Sequence, residues 1–210
     1  MDPRKTPVKR RALIVDDEAE VRDALALLLS TADIETSPFD SAEAFLAATP
    51  LGAPLCVIID NRLPGLNGLG LLKRIVEAGG DPSVIMITGH GDVPTAVSAM
   101  KLGAFHFVEK PFDAEALLEI VEEALSRTVQ VSDLQSEAQA FKSRRAQLTQ
   151  REDEVFTLLL EGLPSKLIAS RLDITLRTAE HHRAAVMRKM QARTISHLLR
   201  MAMKGQALPL

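Results

Sequence analysis

The feature that most limits the fold of this chain is an alternation of short apolar runs with amphipathic segments over its first 126 residues. The runs are rich in β-branched residues and predict strands at about 11–16, 34–36, 55–60, 84–88 and 104–109. The amphipathic segments predict helices at about 18–31, 41–48, 67–78, 93–101 and 113–126. Strands that alternate with helices form parallel sheets. The sequence therefore predicts an α/β fold with a doubly wound, five-stranded parallel sheet.

Chemically active side chains follow four of the five predicted strands. Asp16 and Asp17 come after the first strand, Asp60 ends the third, Thr88 ends the fourth, and Lys110 follows the fifth. The carboxyl ends of parallel strands meet at one edge of a sheet, where open α/β sheets bind their ligands. An acid in such a place often only caps a helix, but four groups in order favour a shared site. Carboxylates, a hydroxyl and an ammonium suit a Mg²⁺ ion and a phosphoryl group.

These residues, with Leu63-Pro64-Gly65 after Asp60, resemble the receiver domain of bacterial two-component response regulators over about residues 10–126. The resemblance implies that Asp60 accepts a phosphoryl group from a sensor histidine kinase. It implies a cofactor, Mg²⁺ or Mn²⁺, held by Asp16, Asp17, Asp60 and the backbone carbonyl of Arg62. It further assigns phosphoryl contact or switching to Thr88, Lys110 and Phe107, and a cis peptide bond to Lys110–Pro111.

Charge divides the chain into two parts. Residues 1–126 hold 11 basic and 20 acidic residues, a net charge of −9, whereas residues 127–210 hold 14 basic and 8 acidic residues, a net charge of +6. Such asymmetry is typical of an acidic module joined to one that meets a polyanion. We expect an N-terminal tail at 1–10, a receiver domain at 11–126, a polar helical linker at 127–147 and a DNA-binding domain at 148–210.

The sequence of the basic part, residues 127–210, predicts helices and no strands. Thr149 and Glu152 have the spacing of a capping box at the start of a helix that ends near Glu161. Further helices are expected from Pro164 to about Leu172, from about 176 to 190 and from about 194 to 204. A helix, a turn and a helix over 164–190 would place the second helix in the major groove of DNA.

The two faces of that second helix differ in character. Ala179, His182, Val186 and Met190 share one face and should pack inward, while Ala184 lies on the opposite face. On the exposed face and around it we expect contacts to base edges or phosphates from a basic and polar set: Lys166, Thr175, Arg177, Thr178, Glu180, His181, Arg183, Arg188 and Lys189. A plain amphipathic helix in a bundle would show the same periodicity.

The stretch from Thr149 to Met203 resembles the DNA-binding domain of the LuxR/FixJ type, with the likeness carried by residues 148–152, 162–166 and 177–183. The resemblance implies a response regulator of the FixJ/NarL/LuxR type, whose phosphorylation promotes dimerisation and promoter binding. A homodimer would bind two half-sites on double-stranded DNA, with RNA polymerase as a further partner. The apolar side of the last helix then either packs in the core or forms a dimer interface, and the interface would use Ile195, Leu198, Leu199 and Met203.

Other classes fit the sequence less well. No apolar run approaches the ~20 residues that a membrane span needs, no signal peptide is evident, and a single cysteine, Cys56, forms no internal disulfide. A cytoplasmic bacterial protein is therefore expected, one that is not an enzyme beyond its own phosphoryl transfer and dephosphorylation. A magnesium-dependent phosphohydrolase would want a second acid at position 62, where Arg62 stands. A protein-binding adaptor that touches no DNA is the other alternative.

Overall fold

The structure, a computed structural model, describes residues 10–53, 55–89 and 93–206. The predicted N-terminal tail, apart from Arg10, lies outside these ranges. The chain divides into two compact units, Met1–Ser132 and Asp133–Leu210. Among the helices of the described ranges, none has the length and apolar character needed to cross a bilayer.

The first unit contains the predicted five-stranded parallel sheet, with the strand order β2-β1-β3-β4-β5. Its strands are β1 (Arg11–Val15), β2 (Glu35–Phe39), β3 (Cys56–Asp60), β4 (Ser83–Thr88) and β5 (His106–Glu109). Between them run α1 (Ala19–Ser30), α2 (Ala42–Ala48), α3 (Gly68–Glu77) and α4 (Val93–Lys101). In the pairing register, Val15 lies opposite Ile59, Asp60 opposite Ile87, and Thr88 opposite Glu109. This register brings the carboxyl ends of β1, β3, β4 and β5 to one edge.

The edge strand β2 differs from its prediction. It was expected at 34–36 but extends through Pro38 to Phe39. Proline lacks the backbone N–H that a strand with neighbours on both sides needs for pairing, so the sequence predicts that this strand ends before Pro38. Because β2 pairs only with β1, Pro38 can stay within the strand.

Helix α5 runs from Ala114 to Arg145 without interruption. The sequence predicts a helix to 126 and a separate helical linker to 147. No glycine or proline occurs between its ends, so nothing in the chain forces a break at 126. Its start is as predicted, since the carboxylate of Asp113 accepts a hydrogen bond from the backbone N–H of Ala116 at 2.8 Å.

The core of the first unit lies on both faces of the sheet. Alternate residues of each strand point to opposite faces, so Val57 and Ile59 pack on one side and Cys56 and Ile58 on the other. Every residue of β3 is buried. Gly68, the first residue of α3, lies so close to the end of this strand that a Cβ there would be 2.4 Å from the carbonyl oxygen of Asp60. Helix α3 can therefore start directly beside Asp60 only because residue 68 has no side chain.

The second unit contains α6 (Gln150–Leu160), α7 (Ser165–Arg171), α8 (Leu176–Lys189) and α9 (Ile195–Gln206). Its core is formed by Phe156, Ile168, Val186 and Leu198, with Phe141 from the end of α5. The rings of Phe141 and Phe156 lie 6.2 Å apart between centroids. Helix α7 begins at Ser165, one residue later than predicted, and Pro164 is its N-cap.

The capping box at the start of α6 also holds the end of α8. The Thr149 hydroxyl accepts from the Glu152 N–H at 3.3 Å, and Glu152 Oε2 accepts from the Thr149 N–H at 2.7 Å. Lys189 Nζ donates to the same Oε2 at 2.5 Å and to the carbonyl of Gln147 at 3.1 Å. The ammonium of Lys189 and then the Thr149 N–H lower the pKa of Glu152 from 4.5 to about 2.

We predict that this ion pair makes the second unit sensitive to acid. A carboxyl whose pKa falls on folding stabilises the native state above its unfolded pKa, here 4.5, and this contribution is lost as the pH falls toward about 2. At pH 7, Glu152→Gln should lower the free energy of unfolding by on the order of 1–2 kcal/mol, since the Lys189 end is partly exposed to solvent. The difference from the wild type should shrink steadily below pH 4.5 in urea unfolding followed by circular dichroism.

The matched control is Glu154→Gln, which removes the same charge from a partly exposed position of the same helix. Its effect should be small at every pH, since exposed ion pairs contribute little. A Glu152→Gln effect that does not change with pH would contradict the assignment.

Candidate functional site

Two acids and one ammonium meet at the carboxyl edge of the sheet. Lys110 Nζ lies 3.0 Å from Asp16 Oδ2 and 2.7 Å from Asp60 Oδ1. The side chains of Asp16, Asp60 and Lys110 are only 3%, 6% and 19% exposed. Burial lowers the pKa of Lys110, but its hydrogen bonds to Asp60 and Asp16 more than offset this, and the net pKa is raised. The ammonium therefore stays charged between the two acids.

The remaining oxygens of these acids are held by backbone N–H groups. Asp60 Oδ2 accepts from the N–H of Arg62 at 2.5 Å, and Asp16 Oδ1 accepts from the N–H of Glu18 at 2.9 Å. The loop after β3 turns at Gly65, whose φ is +74°, and then enters α3. The Asn67 side chain caps that helix by accepting from the N–H of Gly70 at 2.8 Å. Local turn chemistry thus fixes the position of Asp60 and its loop.

Thr88 and Phe107 lie on the neighbouring strands. Thr88 is fully buried at the end of β4, and its carbonyl accepts from the N–H of Lys110 at 2.8 Å. Phe107 is half-buried and packs on the apolar cluster that contains Val15 and Ile59. The peptide bond between Lys110 and Pro111 is cis. Four of the predicted groups, Asp16, Asp60, Thr88 and Lys110, are therefore gathered at one edge of the sheet.

Asp17 takes no part in the contacts of this cluster that join Lys110 to Asp16 and Asp60. It is exposed and makes no hydrogen bond or ion pair within the described ranges. In the same part of the chain, no group of three or more His, Cys, Asp or Glu side chains is placed to hold a metal ion. The backbone of Arg62 is engaged at Asp60 through its N–H, while its side chain is exposed. The structure brings together two of the three predicted carboxylates.

In the second unit, the two faces of α8 lie as predicted. Ala179, Val186 and Met190 are buried in the core, and His182 is half-buried beside them. The opposite face is exposed along its whole length, with Glu180 also exposed: Arg177, His181, Ala184 and Arg188. Thr175 caps the helix by accepting from the N–H of Thr178 at 3.2 Å. An exposed helical face with basic side chains can enter a DNA groove.

The polar groups assigned to DNA differ in how far they are already engaged. Lys189 is held by Glu152 and Gln147, and Arg183 Nη1 donates to Ser165 Oγ at 3.3 Å. Lys166 is exposed at the start of α7. The pair of Lys189 with Glu152 could not be predicted from the sequence, because 37 residues separate the two and no local pattern links them.

Helix α9 requires a correction. Leu198, predicted for the dimer interface, is 0% exposed and belongs to the core of the second unit. Its side chain already fills that core, so it presents no surface to a partner. Ile195 and Leu199 are half-buried, whereas Met203 is 72% exposed. One side of the apolar stripe of α9 therefore packs in the core. The other side, formed by Ile195, Leu199 and Met203, is an apolar margin that is partly or largely exposed.

Comparisons with known proteins cover both units. The sequence matches the response regulator receiver domain over residues 12–122 and the luxR family of bacterial regulatory proteins over residues 146–202. It is 44% identical to the transcriptional regulatory protein FixJ of Bradyrhizobium diazoefficiens, over 94% of this chain and 96% of the relative. It is 45% identical to the C4-dicarboxylate transport transcriptional regulatory protein DctR of Rhodobacter capsulatus, over 90% and 96% of the two chains.

Solved structures agree with these matches. The response regulator StyR has a TM-score of 0.84 at 33% identity, over 93% of this chain and 99% of its own. Full-length FixJ from B. japonicum has a TM-score of 0.56 at 43% identity, over 96% and 99% of the two chains. Both similarities extend over the two units of the chain.

The geometry of the acidic edge predicts that Lys110 is needed for stability. Lys110→Met would leave the Asp16 and Asp60 carboxylates close together with no cation, because both now reach the same nitrogen atom. Breaking such a buried pair should lower the free energy of unfolding of the first unit by about 3 kcal/mol at pH 7. Urea unfolding of the variant and the wild type would measure this.

The double variant Lys110→Met, Asp60→Asn is the control, since it removes one of the two repelling charges. It should recover much of the lost stability. Equal stability of Lys110→Met and the wild type would show that the ammonium does not neutralise these acids.

Proposed function

The chain belongs to the response regulators that combine a receiver domain with a LuxR-type DNA-binding domain, and on this premise we propose that phosphorylation of Asp60 controls its binding to promoter DNA. Its relatives are transcriptional regulators, and it is one as well. A sensor histidine kinase is the proposed phosphoryl donor. The single observation on which the proposal rests is the Lys110 ammonium held between Asp16 and Asp60 at the sheet edge.

In the proposed reaction, an Asp60 carboxylate oxygen attacks the phosphorus of the kinase phosphohistidine. The phosphorus–nitrogen bond breaks as an acyl phosphate forms on Asp60. Phosphoryl transfer depends mainly on positioning and on neutralising charge. Lys110 supplies positive charge beside Asp60, and the Thr88 hydroxyl supplies a donor for a phosphoryl oxygen. Hydrolysis of the acyl phosphate would return the protein to its resting form, and no other catalytic activity is proposed.

Mg²⁺ or Mn²⁺ is the proposed cofactor. The donors are hard oxygen atoms from Asp16, Asp17, Asp60 and the carbonyl of Arg62, and Mg²⁺ needs only one or two carboxylates besides water and phosphate oxygens. The residues fit this ion, because the Asp16 and Asp60 carboxylates both reach one cationic nitrogen and so lie close enough to share a cation. When bound, the ion supplies charge that balances the phosphoryl oxygens.

The second unit is proposed to bind double-stranded DNA as a homodimer on two half-sites. The exposed face of α8 would read the major groove, with Thr175, Thr178 and Lys166 near phosphates. A dimer contact through Ile195, Leu199 and Met203 is supported by the exposed apolar margin of α9. RNA polymerase is the proposed further partner at a promoter, and the cytoplasm the proposed location.

Phosphorylation can be tested by intact mass. Acetyl phosphate with Mg²⁺ should add one phosphoryl group to the wild type, and chelation of the metal should prevent it. Asp60→Asn should stay unmodified, because an amide is a far poorer nucleophile than a carboxylate. Asp17→Asn is the comparison variant and should be modified more slowly, since it weakens metal binding and leaves Asp60 in place. Addition of the group to Asp60→Asn at the wild-type rate would overturn the assignment.

DNA binding can be tested by its dependence on salt. Arg188 lies on the exposed face of α8, so Arg188→Ala should weaken binding and reduce the slope of log affinity against log salt by about 2 for the dimer, about 1 for each protomer. Arg151→Ala removes the same charge from α6 and should leave the slope close to that of the wild type. Adding beryllofluoride, a phosphoryl mimic, should raise the affinity of both the wild type and Arg188→Ala. Identical slopes for all three proteins would contradict the proposed DNA face.

A further inference from the structure

The exposed face of α8 carries one acid among its basic groups. Glu180 is exposed and makes no hydrogen bond or ion pair with any residue that the structure describes. Arg183, one turn further along the helix, donates to Ser165, and Arg177, one turn earlier, is exposed. No residue of its own unit that the structure describes therefore neutralises this carboxylate.

The helix gives this acid no structural role. Acids stabilise a helix near its N-terminus, but the effect falls off within the first turn. Glu180 is the fifth residue of α8, whose first turn already has its cap in Thr175. Its side chain also lies outside the core. A free carboxylate on a surface that meets DNA phosphates is unfavourable unless the DNA offers it a hydrogen-bond donor.

The major groove offers few such donors. Guanine presents two acceptors there, and thymine presents an acceptor and a methyl group, so neither can satisfy a carboxylate. Adenine has the N6 amino donor but places the N7 acceptor beside it, and that acceptor would repel a second carboxylate oxygen. Cytosine presents its N4 amino group with no acceptor on the same base edge.

We propose that Glu180 makes this regulator select cytosine at one position of each half-site, by accepting a hydrogen bond from the cytosine N4 amino group. The inference rests on the proposed function, since it assigns one base of the sequence that the α8 face reads. Selection is the role of this side chain, and its net contribution to affinity is small or negative. Bases that offer only acceptors are rejected, because they leave the carboxylate unpaired and close to other negative charge.

The chemistry predicts a specific change of preference. In Glu180→Gln the side chain keeps an acceptor and gains an amide donor, which can pair with both N6 and N7 of adenine. That variant should shift from cytosine to adenine at the same position by roughly 10-fold or more in relative affinity. Glu180→Ala should lose discrimination there without acquiring a new base.

The experiment uses the full chain with beryllofluoride and Mg²⁺. A randomised duplex library is selected with the wild type, Glu180→Gln and Glu180→Ala, and single-base variants of the selected site are then compared in competition. Glu154→Gln is the matched control, because it removes the same charge from α6. It should raise affinity for all sequences alike, through weaker repulsion of phosphates, and leave every base preference in place.

Cytosine at one position of each half-site for the wild type, replaced by adenine with Glu180→Gln alone, would establish the inference. A selected sequence that is the same for the wild type and Glu180→Gln would overturn it while the proposed function stands. Recovery of no preferred sequence by the wild type would overturn the proposed function together with this inference.

Discussion

The first unit depends on a single ammonium shared by two buried acids. The parallel register places the ends of β1 and β3 side by side, and with them Asp16 and Asp60. Two carboxylates in such proximity repel each other unless a cation stands between them. Lys110, at the end of β5, supplies that charge from the far side of β4. A fold that places two acids at this edge is destabilised unless a cation neutralises part of their charge.

This sharing explains how one modification could alter more than one strand. A phosphoryl group on Asp60 would add a charge of about −1.5 to −2. Its oxygens would compete with Asp16 for the Lys110 ammonium. The Thr88 carbonyl accepts a hydrogen bond from the backbone N–H of Lys110, so a shift of Lys110 would also move the end of β4. Phe107 lies on β5, three residues before Lys110, and packs on the same apolar cluster as Ile59. The ends of β4 and β5 are therefore linked to Asp60 through Lys110.

The second unit separates the groups that hold α8 from those that face outward. Lys189 and Glu152 join the end of α8 to the start of α6, and Arg183 reaches Ser165 at the start of α7. These contacts hold α8 against both α6 and α7. Arg177, His181 and Arg188 remain exposed on the other side. A helix held in this way can present side chains to a groove with little loss of conformational freedom of its backbone on binding, which favours selective over merely electrostatic contact.

The sequence was most informative where the determining signal is local. β-branched runs and the groups at their ends predicted the sheet and the gathering of Asp16, Asp60, Thr88 and Lys110, because parallel topology converts strand order into proximity. The capping box of Thr149 and Glu152 predicted the start of α6, because its two residues are only three positions apart. Contacts between distant segments were missed. Helical periodicity identifies the apolar side of α9 but not how much of that side its own core covers, and so Leu198 was assigned to a partner although it fills the core. The pair of Lys189 with Glu152 could not be predicted either, since the two charges meet only when α6 and α8 pack together.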